Sequence, residues 1–300
     1  MRKTVLNILT IPLLCLSAQA QKYTLQLNLK NGEVYPQKMT MHSVVKQAAA
    51  GQTIDITIDM ISSVEYKVNN VTAEGYVFDA TYKELSMKVA FPGAAMSFSS
   101  GQTGADDMVS RLLNNIVGKP FQIKMTRLGK ITDATNLQQI LETAFKESSG
   151  LSEEQRGQIS GAFGTESFKR NLESFSGIYP TQAVAKGDTW TVHHEAPGNI
   201  GMSMDAKYTL SELTATDYVL NANSTLNTDT QQSVGGDRTA QVVLSGGLSG
   251  NLKLDRKTGW ISEGKITTSM KGTTTMSKAG ADGEEMNIPM EMTMEMSINK

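Results

Sequence analysis

Cysteine is all but missing from this chain of 300 residues: the one copy, Cys15, sits in the apolar run near the N-terminus. Beyond that run no disulfide, thiolate metal site or cysteine nucleophile can form. Histidine is nearly as scarce. Of the three, His193 and His194 are adjacent and His42 stands apart. Neighbouring residues of a strand point to opposite faces, so the pair does not read as a zinc site. Aromatic residues make up only 6% of the chain, with no girdle at the strand ends, which argues against an outer-membrane barrel. Charge of either sign is also weak. A formal net charge of −2 with no basic cluster leaves nothing for nucleic acid to recognise. There is no Gly-x-Ser-x-Gly elbow, Walker loop or dinucleotide glycine pattern. The expectation is a protein that is not an enzyme and needs no cofactor.

What is present begins with an export signal. Arg2 and Lys3 precede an apolar run from Val5 to Leu16, and Ala18-Gln19-Ala20 makes a small-x-small cleavage site before Gln21. The run is too short to span a membrane and contains Pro12. Pro12-Leu13-Leu14 ahead of Cys15 does not match a lipoprotein signal. Residues 1–20 are therefore expected to be removed after Ala20. Residues 21–300 are expected to form one domain in the periplasm or outside the cell, with no transmembrane segment. A chain of that length buries about three-quarters of its surface and needs no covalent staples.

Alternation dominates the remainder. Tyr23, Leu25, Leu27 and Leu29 predict a first strand, and Asn31-Gly32 after it reads as a tight hairpin turn. Tyr35, Met39 and Met41, then Ile54, Ile56, Ile58 and Met60, predict the next two. A longer run changes phase between Tyr82 and Leu85, which predicts a β-bulge near Lys83-Glu84, because an uncorrected slip would turn the core face outward. After Pro180, strands are read at Trp190–Val192, Met202–Leu210, Tyr218–Ala222, Ala240–Leu254 and Trp260–Met270, with a last one near the C-terminus. Residues 227–237 and 277–285 read as polar loops, and Gly246-Gly247 as a bend. Roughly a dozen strands, without helices between them outside one insert, argue against a parallel sheet.

The exception is the stretch 104–177. Val109, Leu112, Leu113 and Ile116 recur at helical spacing between Asp106, a candidate cap, and Gly118. A short strand pair spans 121–131. Further helices are expected from Thr135, Ser152 and Thr165, the first two with capping-box partners Gln138 and Gln155. Gly157, Gly161 and Gly164 weaken the segment between the last two. The fold class is thus mainly β with α+β character: a curved antiparallel sheet or incomplete barrel with this insert on its concave face.

The last strand alternates Met290, Met292, Met294 and Met296 with Glu291, Thr293, Glu295 and Ser297. Three readings stand side by side. The methionines are ordinary core, a deformable wall for an apolar ligand, or soft ligands for Cu(I).

Three groups of residues carry a resemblance. They are Gly118-Lys119-Pro120 with Gly129-Lys130-Ile131, Tyr179-Pro180 with Gly187-Asp188-Thr189-Trp190, and Leu254-Asp255 with Thr258-Gly259-Trp260. Together they resemble domain-of-unknown-function family 6263, a family of secreted bacterial proteins. The resemblance brings no catalytic residues with it. The layout is also similar to the half-barrels of periplasmic lipoprotein carriers and mycobacterial lipid-binding lipoproteins, which implies an apolar cavity under helices. The ligand would be a lipid or acyl chain, and Leu27, Ile56, Tyr208, Met292, Leu141 and Phe168 are the positions expected around it. The alternative is an envelope scaffold that binds a protein partner and has no cavity.

Overall fold

A computed structural model describes residues 21–49, 52–101, 108–147, 153, 156–157, 165–195, 203–233, 238–278 and 285–300. The first half of the sheet comes from β1 (Val34–Ala49), β2 (Gln52–Val71), β3 (Gly75–Phe91), β4 (Ala94–Ser99), β5 (Pro120–Thr126) and β6 (Ile131–Thr135). The second half comes from β7 (Thr189–Glu195), β8 (Ser203–Leu213), β9 (Asp217–Ser233), β10 (Arg238–Asp255), β11 (Ile261–Lys278) and β12 (Met286–Asn299). Among the described residues there are three helices: α1 (Met108–Ile116) between β4 and β5, and α2 (Leu137–Glu147) and α3 (Thr165–Ser176) between β6 and β7.

All strand pairs are antiparallel. The sheet runs β6-β5-β3-β2-β1-β12-β11-β10-β9-β8-β7, with β4 also paired to β3. It is curved and does not close into a barrel, since β6 and β7 are edges. The pairing of β1 with β12 joins the two halves and places Met41 beside Met296 and Val45 beside Met292.

The register sorts the two faces cleanly. On one lie Tyr35, Met39, Tyr66, Phe78, Ile298, Ile266, Leu252, Leu220 and Tyr208, row against row across the sheet. On the other lie exposed ion pairs such as Lys38–Glu84 at 3.0 Å and Lys124–Asp133 at 3.0 Å. Pairs of that kind contribute at most about 1 kcal/mol each. The division of faces therefore rests on burial of the apolar rows, which form one large core.

The bulge falls where the phase change places it: Ser63 pairs with Glu84 and Val64 with Tyr82, leaving Lys83 as the extra residue. Further register shifts occur at Val68/Asn70, Lys124/Met125, Leu210/Glu212 and Lys253/Leu254. Each bends its strand. All sit toward the end of the sheet that carries the helices.

Several expectations are corrected. Tyr23 to Leu29 is not a sheet strand. It is an extended segment with a single bridge, Tyr23 to Val184. Its alternation is still real, because Leu25, Leu27 and Leu29 are buried. What it lacks is a continuous ladder to a neighbouring strand. Its amides go to three different places: Tyr23 N to Val184 O, Leu27 N to Arg127 O and Asn28 N to Thr258 O. Asn31-Gly32 is a turn, with Gly32 at φ 81°, but it leads from that segment into β1 and closes no hairpin.

The expected capping box at Thr135 is displaced. Thr135 ends β6, Asn136 takes positive φ (69°), and the Gln138 amide donates to Glu142 instead. Residues 227–233 continue β9, since the ladder to β10 holds up to Ser233–Thr239. Gly246-Gly247 lies within unbroken β10: a side chain at Gly246 would overlap Ser269 O of β11. Ser277 and Lys278 likewise belong to β11. Residues 1–20, Asp106, Ser152, Gln155, Gly161, Gly164, 234–237 and 279–284 lie outside the described residues.

Candidate functional site

The apolar stripes of α1 and α3 face the sheet. Val109, Leu112, Leu113 and Ile116 recur at positions i, i+3, i+4 and i+7, and Phe168, Asn171, Leu172 and Phe175 repeat that spacing. Between these stripes and the apolar face of β1, β2, β3 and β12 lies a cavity of about 460 Å³. That is within the ordinary range for small-molecule sites, about 300–1,000 Å³.

The sheet side of the wall includes Met39, Met60, Val64, Leu85, Met87 and Ile298. Among the described residues no lining side chain carries a charge. The floor is aromatic. Tyr66 lines the cavity and packs against Trp260 with ring centroids 5.4 Å apart, and Trp260 also meets Tyr35 at 5.4 Å. Away from this floor the wall ends on Met60 and Met87, which pair across β2 and β3. Beyond them the same face continues through Ile58, Val89, Ile56, Val45 and Met292.

Six polar residues interrupt an otherwise apolar lining: Gln37, Ser62, Tyr66, Tyr82, Ser86 and Asn171. Burial pushes the Tyr82 phenol pKa up, and for Tyr66 burial and the neighbouring Tyr82 act in the same direction. Both phenols are therefore neutral hydroxyls throughout the physiological range. Tyr82 nevertheless keeps some accessible surface, and that surface is cavity wall.

Helix α3 spans the gap that an open sheet leaves, since it touches both β6 and β7. Ile131 N donates to Glu173 Oε1 at 2.7 Å, and Ser176 Oγ donates to Gly129 O at 2.6 Å. On the other side Trp190 Nε1 donates to Ile178 O at 2.8 Å. The C-terminal end of α3 is thus held by both edges of the sheet, directly over the cavity.

The glycines of the motifs noted in the sequence do not line the cavity. They sit at connections between elements. Gly118, Gly129, Gly187 and Gly259 all have positive φ, at 80°, 77°, 92° and 72°. Tyr179 Oη donates to Gly259 O at 2.8 Å, and Asp255 Oδ1 accepts from the amides of Lys257 and Thr258, which fixes the β10–β11 turn.

Of the six positions expected around a ligand, Phe168 lines the cavity. Leu27 is buried in the N-terminal segment, Leu141 is buried on α2, and Tyr208 is buried on β8 with its ring stacked on Trp190 at 5.9 Å. Ile56 and Met292 are half-buried, farther along the same apolar face. Sequence reasoning missed Tyr66, Tyr82 and Asn171 as wall residues. Asn171 left a trace, a polar residue at an inward position of the α3 stripe. The tyrosines left none, because their alternation is that of any core strand.

One buried histidine lies at the β7 edge. His194 is 5% exposed, with Nε2 3.4 Å from Tyr208 Oη, and Gly177 passes beside its ring. Burial, helped by the neighbouring His193, holds its pKa below the ordinary value near 6.5. The folded state therefore favours neutral imidazole more than the unfolded state does. Its contribution to stability is complete above about pH 6.5 and is lost as pH falls toward the depressed folded-state value. Urea unfolding at a series of pH values should give a midpoint that declines below pH 6.5, and H194Q should remove part of that slope. An unchanged slope would contradict the assignment.

No group of three or more His, Cys, Asp or Glu side chains able to hold a metal is found among the described residues. No helix among them is long and apolar enough to cross a membrane.

Comparison with known proteins gives one family. A family model described as a family of unknown function, DUF6263, matches residues 73–261. No curated protein matches. Among solved structures, one described as lipid-protein interactions in lipovitellin aligns at 12% identity with a TM-score of 0.49. The alignment covers 90% of this chain and 25% of that one. The chain thus spans a quarter of that protein's length.

Proposed function

The chain belongs to the DUF6263 family, whose function is unknown, and from its architecture we propose that it is a non-enzymatic binding protein for an apolar ligand of acyl-chain type. The ligand lies between the sheet and helices α1 and α3. The observation that carries this reading is the uncharged cavity of about 460 Å³ under α3. Each methylene taken out of water contributes about 0.8 kcal/mol. Ten of them give about 8 kcal/mol, the free energy of a micromolar complex before ordering costs.

The methionines at the far rim suit a wall that adapts to chains of different shape. With residues 1–20 acting as an export leader, the protein would work outside the cytoplasm, where free lipids need a carrier to cross water. A scaffold that only binds proteins has no use for an internal cavity. Among the described residues the large apolar side chains that are exposed (Val34, Val71, Met96, Val243, Met286) are scattered over five strands and form no docking row.

Two measurements test the proposal. Protein purified from its native source, extracted with organic solvent and analysed by mass spectrometry, should yield a lipid in near-stoichiometric amount. An environment-sensitive apolar dye should bind, and V109W or L112W, which fill the cavity, should weaken it by about tenfold or more (about 1.4 kcal/mol). No lipid in the extract, together with dye binding indifferent to both variants, would leave the scaffold reading.

A further inference from the structure

The polar atoms in the cavity wall say more about the ligand than its apolar part does. Asn171 Oδ1 is buried and has no hydrogen-bond partner. It sits on the inward stripe of α3 one turn from Phe168, whose ring meets the Tyr82 ring edge-on at 6.3 Å. Among the described residues no hydrogen bond reaches the Tyr82 hydroxyl or that of Tyr66, although Tyr66 is only 3% exposed. Asn171 thus brings an unpartnered buried oxygen to a cavity wall that two tyrosines also line. Leaving such groups unpaired costs free energy that a well-packed protein ordinarily avoids.

We propose that the ligand is a neutral amphiphile whose hydroxyl group hydrogen-bonds Asn171 and the tyrosine hydroxyls, with its hydrocarbon tail running toward Met60 and Met87. The idea rests on the cavity being a ligand site, as proposed above, and adds the chemistry of the head group.

Charge decides against the commonest alternative. A fatty-acid carboxylate buried here would meet no cation among the described lining residues, and an unpaired buried carboxylate is strongly disfavoured. It would also face the Asn171 carbonyl oxygen, acceptor against acceptor. A hydroxyl has neither problem. It donates to Oδ1 and accepts from a phenol, and it serves the amide in either orientation because it both donates and accepts. A plain alkane fits the volume but leaves Asn171 Oδ1 unpaired.

The test is competition for the bound dye at pH 8 by dodecanol and by dodecanoate, using the wild-type protein and N171L. Dodecanol should displace the dye at least about tenfold more effectively than dodecanoate. N171L should lose about tenfold in dodecanol affinity relative to its affinity for the dye, a ratio that cancels any change of the cavity common to both. Y82F should weaken dodecanol in the same direction. Dodecanoate binding as well as dodecanol or better overturns the head-group assignment and leaves the apolar-ligand reading standing. The same holds if N171L binds dodecanol like the wild type. Failure of the wild type to bind the dye or either competitor overturns the cavity reading itself, and the assignment falls with it.

Discussion

Gly259→Ala is expected to lose roughly 2–5 kcal/mol of stability, a large part of the about 5–15 kcal/mol that an ordinary domain has. Two causes add. Gly259 has φ 72°, a left-handed conformation that costs an L-residue about 1–2 kcal/mol. A Cβ there would overlap Gln26 O and come within 3.2 Å of Leu27 Cα. Forcing the N-terminal segment aside adds roughly another 1–3 kcal/mol of packing strain. That segment is hard to displace, because its amides are bonded to Val184, Arg127 and Thr258 at three separate points.

Gly93 supplies the control. It has the same sign of φ, at 82°, with nothing within 4 Å of the position a Cβ would take. G93A should therefore lose only about 1–2 kcal/mol. Urea midpoints of the two variants separate the contributions. Equal losses would mean that the approach of Gly259 to the N-terminal segment has no energetic weight.

Trp260→Ala should cost about 3–5 kcal/mol, the usual range for an aromatic residue deleted from a core. Its ring is 5% exposed and touches Tyr35, Tyr66 and, at 6.5 Å, Phe78. The loss would reach the cavity, since Tyr66 is both its floor and a neighbour of Trp260. Trp260→Phe discriminates between packing and polarity. Trp260 Nε1 is buried without a hydrogen-bond partner, so phenylalanine forfeits no hydrogen bond and removes a desolvated donor. W260F should accordingly cost much less than W260A in thermal unfolding. A W260F variant as unstable as W260A would show that Nε1 has a partner or that the ring's full area is required.

The sheet was legible because the period of two is local. Residues such as Ile54, Ile56, Ile58 and Met60 declare a half-buried strand whatever they pair with, and the phase change after Tyr82 had to be absorbed by an extra residue, which is Lys83. The α1 stripe was legible for the same reason, at a period of 3.6. Pairing partners were not. Leu25, Leu27 and Leu29 show the pattern of a strand, yet the amides of Tyr23, Leu27 and Asn28 in that segment go to three unrelated places, and nothing in a one-dimensional pattern distinguishes a ladder from a threaded segment. Polar β9 misled in the opposite way. Asn227 to Ser233 looks like loop by composition but is held as strand by its register with β10.

The glycine motifs show where the boundary lies. That Gly129 and Gly259 sit in turns was visible beside Lys130-Ile131 and Asp255 to Thr258. That one turn packs on Ser176 and the other on Gln26 was decided only when distant segments met.

By itself, then, the amino-acid order determined an antiparallel, two-faced sheet interrupted by amphipathic helices, because alternation and helical stripes are properties of neighbours along the chain. Tertiary structure decided which parts of the apolar face are core and which are cavity wall. Leu27, Leu141 and Tyr208 are as apolar as Met39, Leu113 and Phe168, but the first three pack closed while the others border open space. The difference is set by how far bulges bend the strands and where α3 is clamped between β6 and β7. Curvature and docking are sums over many residues far apart in sequence, and no single stretch of the chain contains them.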